Sequence, residues 1–195
     1  LNEIGDYEQA IKNYKKAIEI NENYSEAYNN LGAVYNTLKK YENAVESIQK
    51  AIQITPNYYD AYNNLGSAQT NINRDEDAIK SYKKSIELNP LFSDAYSNLC
   101  ALYEKANRID DFEKFINLAM HKINIEDQNL LYRRAQLSSR KKQYETAKNH
   151  LDMIHPDKVS NMIKVGSSEL LGKTYDKLNE YSSAFGSFQN TNYLV

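Results

Sequence analysis

The chain reads as an all-α protein built from stacked helical hairpins, and three observations carry that reading. The segment Tyr28-Asn29-Asn30-Leu31-Gly32 recurs as Tyr62-Asn63-Asn64-Leu65-Gly66. It returns, altered, as Tyr96-Ser97-Asn98-Leu99-Cys100, each time 34 residues further on. A second marker travels with it as Tyr7…Ala10, Tyr41…Ala44, Asp75…Ala78 and Ile109…Phe112. Within each copy, apolar and small residues fall at the i, i+3, i+4, i+7 spacing of one helix face. A stack of such units offers an extended surface rather than a closed pocket, so binding comes before catalysis as the functional expectation.

Residues 1–24 form a partial repeat: the tail of a first helix, then a second helix from Tyr7 to Ile20 carrying Tyr7, Ala10, Tyr14 and Ala17. Residues 25–58 are a whole unit. Tyr28, Leu31, Gly32 and Tyr35 mark its first helix, and Tyr41, Ala44, Ile48, Ala51 and Ile52 its second. Lys39-Lys40 puts positive charge at the end of the first helix, where it complements the dipole. Thr55-Pro56-Asn57 stops the second helix, because proline cannot continue it. Gly32 and Ala44 are the small residues that let the two helices approach.

Residues 59–92 repeat the pattern with Tyr62, Leu65, Gly66, Ala78, Tyr82 and Pro90, while Gln69 and Ser85 depart from it. In residues 93–126 the small pair becomes Cys100 and Phe112, which predicts a wider or differently crossed hairpin. Residues 127–164 are a degenerate repeat, and 165–195 are the last one, with Leu171, Gly172, Tyr175, Tyr181, Ala184 and Phe188. The anchors Tyr7, Tyr41, Asp75, Ile109, Tyr144 and Tyr181 lie 34, 34, 34, 35 and 37 residues apart. Extra residues are therefore expected in the joints near Asn124–Gln128 and His155–Lys164. The sum is a single array of eleven helices without a strand. A start at Leu1, and a last repeat with no polar helix after it, read as cuts through a longer chain. The two end helices are thus expected to expose apolar surface suited to self-association.

Composition narrows the function. With 24 basic and 26 acidic side chains the net charge is −2, without the basic excess that tracks phosphates, so nucleic acid is not an expected partner. No apolar run approaches the ~18 residues that cross a bilayer, so neither is a membrane. A single cysteine excludes an internal disulfide framework and fits a reducing, cytoplasmic setting. Cys100 occupies the place of Gly32 and Gly66, as a packing residue. His150 and His155 are five apart, off the facing of a helical metal pair. Six scattered glycines build no phosphate loop. Neither catalytic residues, nor a metal, nor a cofactor is expected.

The pattern Tyr28, Leu31, Gly32, Tyr35, Tyr41, Ala44, Ile48, Ala51 and Pro56 resembles the tetratricopeptide repeat, with Tyr in place of the usual Trp. That resemblance implies a right-handed superhelical solenoid of antiparallel helix pairs with a concave groove. Asn30, Asn64 and Asn98 hold the place that faces such a groove, with Asn29 and Asn63 beside them and Asn36 and Thr70 nearby. Carboxamides there can bond a peptide backbone at both its donor and its acceptor. A similar asparagine ladder lines the groove of O-linked N-acetylglucosamine transferases. In the fifth and sixth units Arg133 and Leu170 take the place. The other groove positions, among them Glu26, Asp60 and Asp94, are polar and slightly acidic. They lack the cations of a carboxylate clamp. The strongest basic cluster, Arg133-Arg134 with Arg140-Lys141-Lys142, is a second candidate, for an acidic partner.

The expectation is a non-enzymatic module that binds an extended peptide or partner protein along its groove. Two alternatives stand beside it. One is the substrate-presenting arm of a larger transferase, since the run from Leu171 to Asn192 is similar to the repeat preceding bacterial sulfotransferase domains. The other is a self-assembling scaffold.

Overall fold

The structure, a computed structural model, describes residues 2–123 and 127–194. Among them lie eleven α-helices and no strand. They are α1 (Asn2–Ile20), α2 (Ser25–Thr37), α3 (Tyr41–Ile54), α4 (Tyr59–Asn71), α5 (Asp75–Leu88) and α6 (Ser93–Lys105). After them come α7 (Ile109–Lys122), α8 (Gln128–Arg140), α9 (Tyr144–Asp152), α10 (Asn161–Lys177) and α11 (Tyr181–Leu194). One joint that the spacing marks as enlarged holds a 3-10 turn at Pro156–Lys158. Residues 124–126 of the other lie outside the described residues.

One departure stands at the beginning. The sequence separates the tail of a first helix from a second helix over Tyr7 to Ile20, yet α1 runs from Asn2 to Ile20 without a break.

The five later hairpins all close in the same way. Lys39, Asn73, Asn107, Lys142 and Asn179 take left-handed backbone, with φ between 55° and 63°. The amide three residues past each first helix then donates five residues back: Lys40 to Tyr35 (2.8 Å), Arg74 to Gln69 (2.9 Å), Arg108 to Tyr103 (2.8 Å), Gln143 to Ser138 (2.9 Å) and Glu180 to Tyr175 (2.9 Å). This is a Schellman closure, which satisfies carbonyls the helix end would otherwise leave open. Asparagine tolerates left-handed backbone better than most residues, so three of the five turns carry their own signal.

The chain divides into two compact units, Leu1–Leu102 and Tyr103–Val195. In the first, α1 packs on α2, α2 on α3, α3 on α4 and α4 on α5. Its core joins Leu31, Tyr35, Ala44, Val45, Ile48 and Leu65, with Ile11, Tyr14 and Ile18 of α1 against it. Gly32 and Gly66 are required by close approach. A Cβ on Gly32 would run into Ile48 Cγ1 and lie 3.1 Å from the Ala44 carbonyl, and one on Gly66 would meet the Tyr82 ring at 2.7–2.9 Å.

Both sequence departures of this unit are buried. Gln69 accepts from Ser81 Oγ at 2.7 Å. Ser85 is wholly enclosed, and its hydroxyl has no protein partner. In the second unit α7 packs on α8, α8 on α9 and α10, and α9 and α11 on α10. Leu131, Ala135, Leu151 and Ile154 form its core, with Tyr132, Leu170 and Leu171 around them. Tyr181 and Phe185, one turn apart on α11, are exposed. Cys100 and Phe112 are each fully buried, in different units.

Candidate functional site

In the first unit the asparagines sort into two layers. Asn29 and Asn63 are buried, at 4% and 8% exposure, which takes them out of any open groove surface and corrects the sequence expectation for both. Asn30 is exposed, and Asn64 and Asn98 are half-buried. The layers are joined across repeats. Asn64 Nδ2 donates to Asn29 Oδ1 at 2.9 Å, and Asn98 Nδ2 donates to Asn63 Oδ1 at 3.0 Å. Asn29 Nδ2 reaches the Tyr58 hydroxyl at 3.5 Å. The ladder is thus also a structural tie: each half-buried carboxamide satisfies the buried carboxamide of the repeat before it. Asn64 and Asn98 therefore carry structure as well as surface, because a buried acceptor without a donor is costly.

A second relay runs alongside. Asn36 donates to Ser67 Oγ at 3.1 Å and accepts from Asn71 Nδ2 at 2.9 Å. Both polar groups of Asn36 are engaged, although the side chain stays partly open. Thr70 turns its hydroxyl to the Gly66 carbonyl of its own helix at 2.9 Å and to the Tyr82 hydroxyl at 3.5 Å. It therefore has little left for a ligand. Burial raises the Tyr82 phenol to about 12. What remains available along α2, α4 and α6 is Asn30 whole, and the Oδ1 and second amide hydrogen of Asn64 and Asn98. An acidic edge accompanies the row. Burial first, then Asp94, hold Asp60 above the ordinary carboxylate value. Burial, then Asp60 and Glu26, raise the Tyr58 phenol, against a smaller lowering by the bond from Asn29.

The second unit differs at the same register. Tyr132 stands where the first unit has Asn29, and Leu170 where it has Asn30, so no carboxamide tie can form between them. Arg133, also in the Asn30 place, donates to Gln136 at 2.9 Å and lies 5.6 Å from the Tyr132 ring centre. Two members of the basic cluster are ion-paired. Arg140 lies 3.5 Å from Glu104, and Lys141 lies 2.6 Å from Glu113. A cavity of about 180 Å³ opens between Glu104, α8 and α10. The sequence analysis missed it. Gly166 was its one available signal, a glycine inside a helix and outside the small-residue places of the repeat.

His150 is half-buried with its Nδ1 enclosed and without a protein partner. Its pKa is lowered, by burial first and by Arg134 second. Among the described residues no group of three or more His, Cys, Asp or Glu could hold a metal. No described helix is long and apolar enough to cross a membrane.

Comparison with known proteins bears on the first unit by sequence and on the whole chain by fold. A family model described as TPR repeat matches residues 1–39, and one described as tetratricopeptide repeat matches 25–58 and 59–92. No curated protein sequence matches the chain significantly. Among solved structures, a chain of the APC/C hetero-tetramer Cut9-Hcn1 is similar at a TM-score of 0.85 and 16% identity. The match covers 100% of this chain, which spans only 38% of that one. Pseudomonas aeruginosa pilF is similar at 0.77 and 20% identity, with 95% and 82% of the two chains covered. YrrB, titled a TPR protein with an unusual peptide-binding site, is similar at 0.61 and 15% identity, with 93% and 91% covered. At these identities the structural likeness speaks for the fold.

Proposed function

We propose, from the premise that this chain is a tetratricopeptide-repeat protein, that it is an interaction module holding an extended peptide along α2, α4 and α6. Repeats of this kind generally serve protein–protein contact, and a peptide-binding protein stands among the similar structures. The observation that carries the reading is the row of Asn30, Asn64 and Asn98, one per repeat. Ties to the buried layer fix Asn64 and Asn98 in orientation. A carboxamide held at one amide hydrogen still offers a donor and an acceptor, the pair a peptide unit needs. Fixing the side chain beforehand lowers the entropy lost on binding. The groove has no excess of cations, so main-chain recognition fits it better than capture of a terminal carboxylate.

The test is selection from a random-sequence peptide display library, followed by titration of a selected peptide into the isotopically labelled chain. Peptide should shift the side-chain amide signals of Asn30, Asn64 and Asn98. Asn30→Ala, which breaks no internal bond, should weaken binding several-fold at unchanged melting temperature. Binding that leaves those three signals in place, or that Asn30→Ala leaves intact, would overturn the reading.

A further inference from the structure

The cavity of the second unit is bounded by three kinds of group that the first unit lacks at the same register. Tyr132 provides an aromatic floor, Gly166 the room above it, and Glu104 with Glu169 carboxylate walls. Room and floor depend on each other, since a Cβ on Gly166 would collide with the Tyr132 hydroxyl and stand 3.0 Å from its Cζ. Glycine within a helix costs about 1 kcal/mol relative to alanine, and here it keeps the tyrosine in place and the cavity open.

The charges around the opening are not equivalent. Glu104 is the least exposed, its side chain 18% accessible, whereas its partner Arg140 is 53% exposed and sits at a long 3.5 Å. Lys173 pairs with Glu169 at 2.6 Å on the rim and is 62% exposed. Burial raises the Tyr132 phenol above its ordinary value; Arg133 opposes this, and Glu104 and Glu169 add to the rise. Glu104 thus acts on the floor of the cavity from a largely buried position, with Glu169 beside it at the half-exposed rim and Arg133 opposing both from 5.6 Å off the Tyr132 ring centre. Arg140 and Lys173 stand out in water, where their charge is screened.

We infer that this cavity is a binding site for a cationic side chain of a partner, arginine above lysine, seated over Tyr132 between Glu104 and Glu169. Guanidinium is planar, carries five donors, is weakly hydrated and lies well on an aromatic face, which suits paired carboxylates above a tyrosine. The chain itself places one guanidinium at this mouth, that of Arg140, and an incoming arginine would displace it outward. The site stands apart from the carboxamide row, which belongs to the first unit.

The probes are Nα-acetyl-arginine amide, Nα-acetyl-lysine amide and Nα-acetyl-glutamate amide, titrated into the full labelled chain at low salt. The readout is the backbone signals of Ser139, Gly166 and Glu169. The arginine amide should shift them saturably, the lysine amide more weakly and the glutamate amide not at all. Glu104→Gln and Glu169→Gln should each weaken arginine binding by about tenfold, the loss of one charge-assisted pair. Gly166→Ala should abolish it. Should Gly166→Ala fail to fold, the two glutamine variants decide alone. Glutamate amide shifting the same signals as strongly, or arginine binding that survives both glutamine variants, overturns the assignment. Asn30→Ala should leave arginine binding unchanged, so a failure of the peptide reading and a failure of this one can be told apart.

Discussion

The two units build the same bridge between successive first helices out of different chemistry. In the first unit Asn71 donates to Asn36 at 2.9 Å. In the second the corresponding places hold Arg140 and Glu104, 3.5 Å apart. A carboxamide is donor and acceptor at once, so a relay of them can pass from repeat to repeat without regard to charge. An ion pair fixes the sign at each end, is weakened by salt where exposed, and leaves each group able to prefer an outside partner. In the proposed reading, the uniform unit meets main chain, which every peptide shares, and the particular one meets one kind of side chain.

The largest test of that contrast is steric. Gly66→Ala should cost about 1–3 kcal/mol in urea unfolding, because the added carbon meets a buried Tyr82 ring that has nowhere to go. Gly166→Ala should cost less, since the atom it meets is the far end of the half-buried Tyr132 side chain, which can swing at the expense of the cavity. Equal costs would mean that the second unit packs as tightly there as the first, and the contrast would fall.

Next comes the two-layer asparagine arrangement. Asn64→Ala should destabilise by about 1–2 kcal/mol, because Asn29 Oδ1 is left buried without its donor. Asn30→Ala, on the surface, should stay within about 0.5 kcal/mol. Two neutral substitutions would show the relay to be ornamental.

The smallest effect is a response to mild acid at His150, in the second unit, which holds all three histidines. Burial and Arg134 lower the pKa of His150 in the fold, so the unfolded chain takes up the proton first. Its contribution to stability is then complete above the unfolded value, about 6.5, and declines as pH falls through the lower folded value. Melting curves between neutral and mildly acid pH should show this decline, and His150→Gln should reduce it. A variant with the same acid sensitivity would assign the effect elsewhere.

The fold was legible because a period of 34 residues, a small pair and a helical stripe all say the same thing. The eleven-helix count held among the described residues, and the anchors Tyr41, Asp75, Ile109, Tyr144 and Tyr181 each open a helix, whereas the helix expected from Tyr7 begins at Asn2. The fine sorting of the site was not legible. Asn29 and Asn30 are neighbours of one residue type, and a turn of about 100° around the helix buries one and exposes the other. Nothing in the residue names carries that difference except the register of the packing residues, Leu31 and Gly32, beside them. Thr70 was misjudged for a related reason, since whether a threonine bonds its own helix or a ligand depends on rotamer. The cavity was missed because its floor and its opening come from residues 34 apart whose meaning appears only when two repeats lie side by side.

The left-handed turns have a consequence for how such a chain is inherited. The step from the turn residue to the start of the second helix is two residues in all five closed hairpins, from Lys39 to Tyr41 through to Asn179 to Tyr181. None of the drift in period therefore falls at the turn itself; the longest spacing coincides with a shorter α9, an added 3-10 turn and a longer α10. Each hairpin is a cassette whose closure refers only to itself, and a copying event that adds or drops 34 codons leaves every remaining closure intact. What such an event must still satisfy is a single new seam, where a half-buried carboxamide has to find the buried one before it.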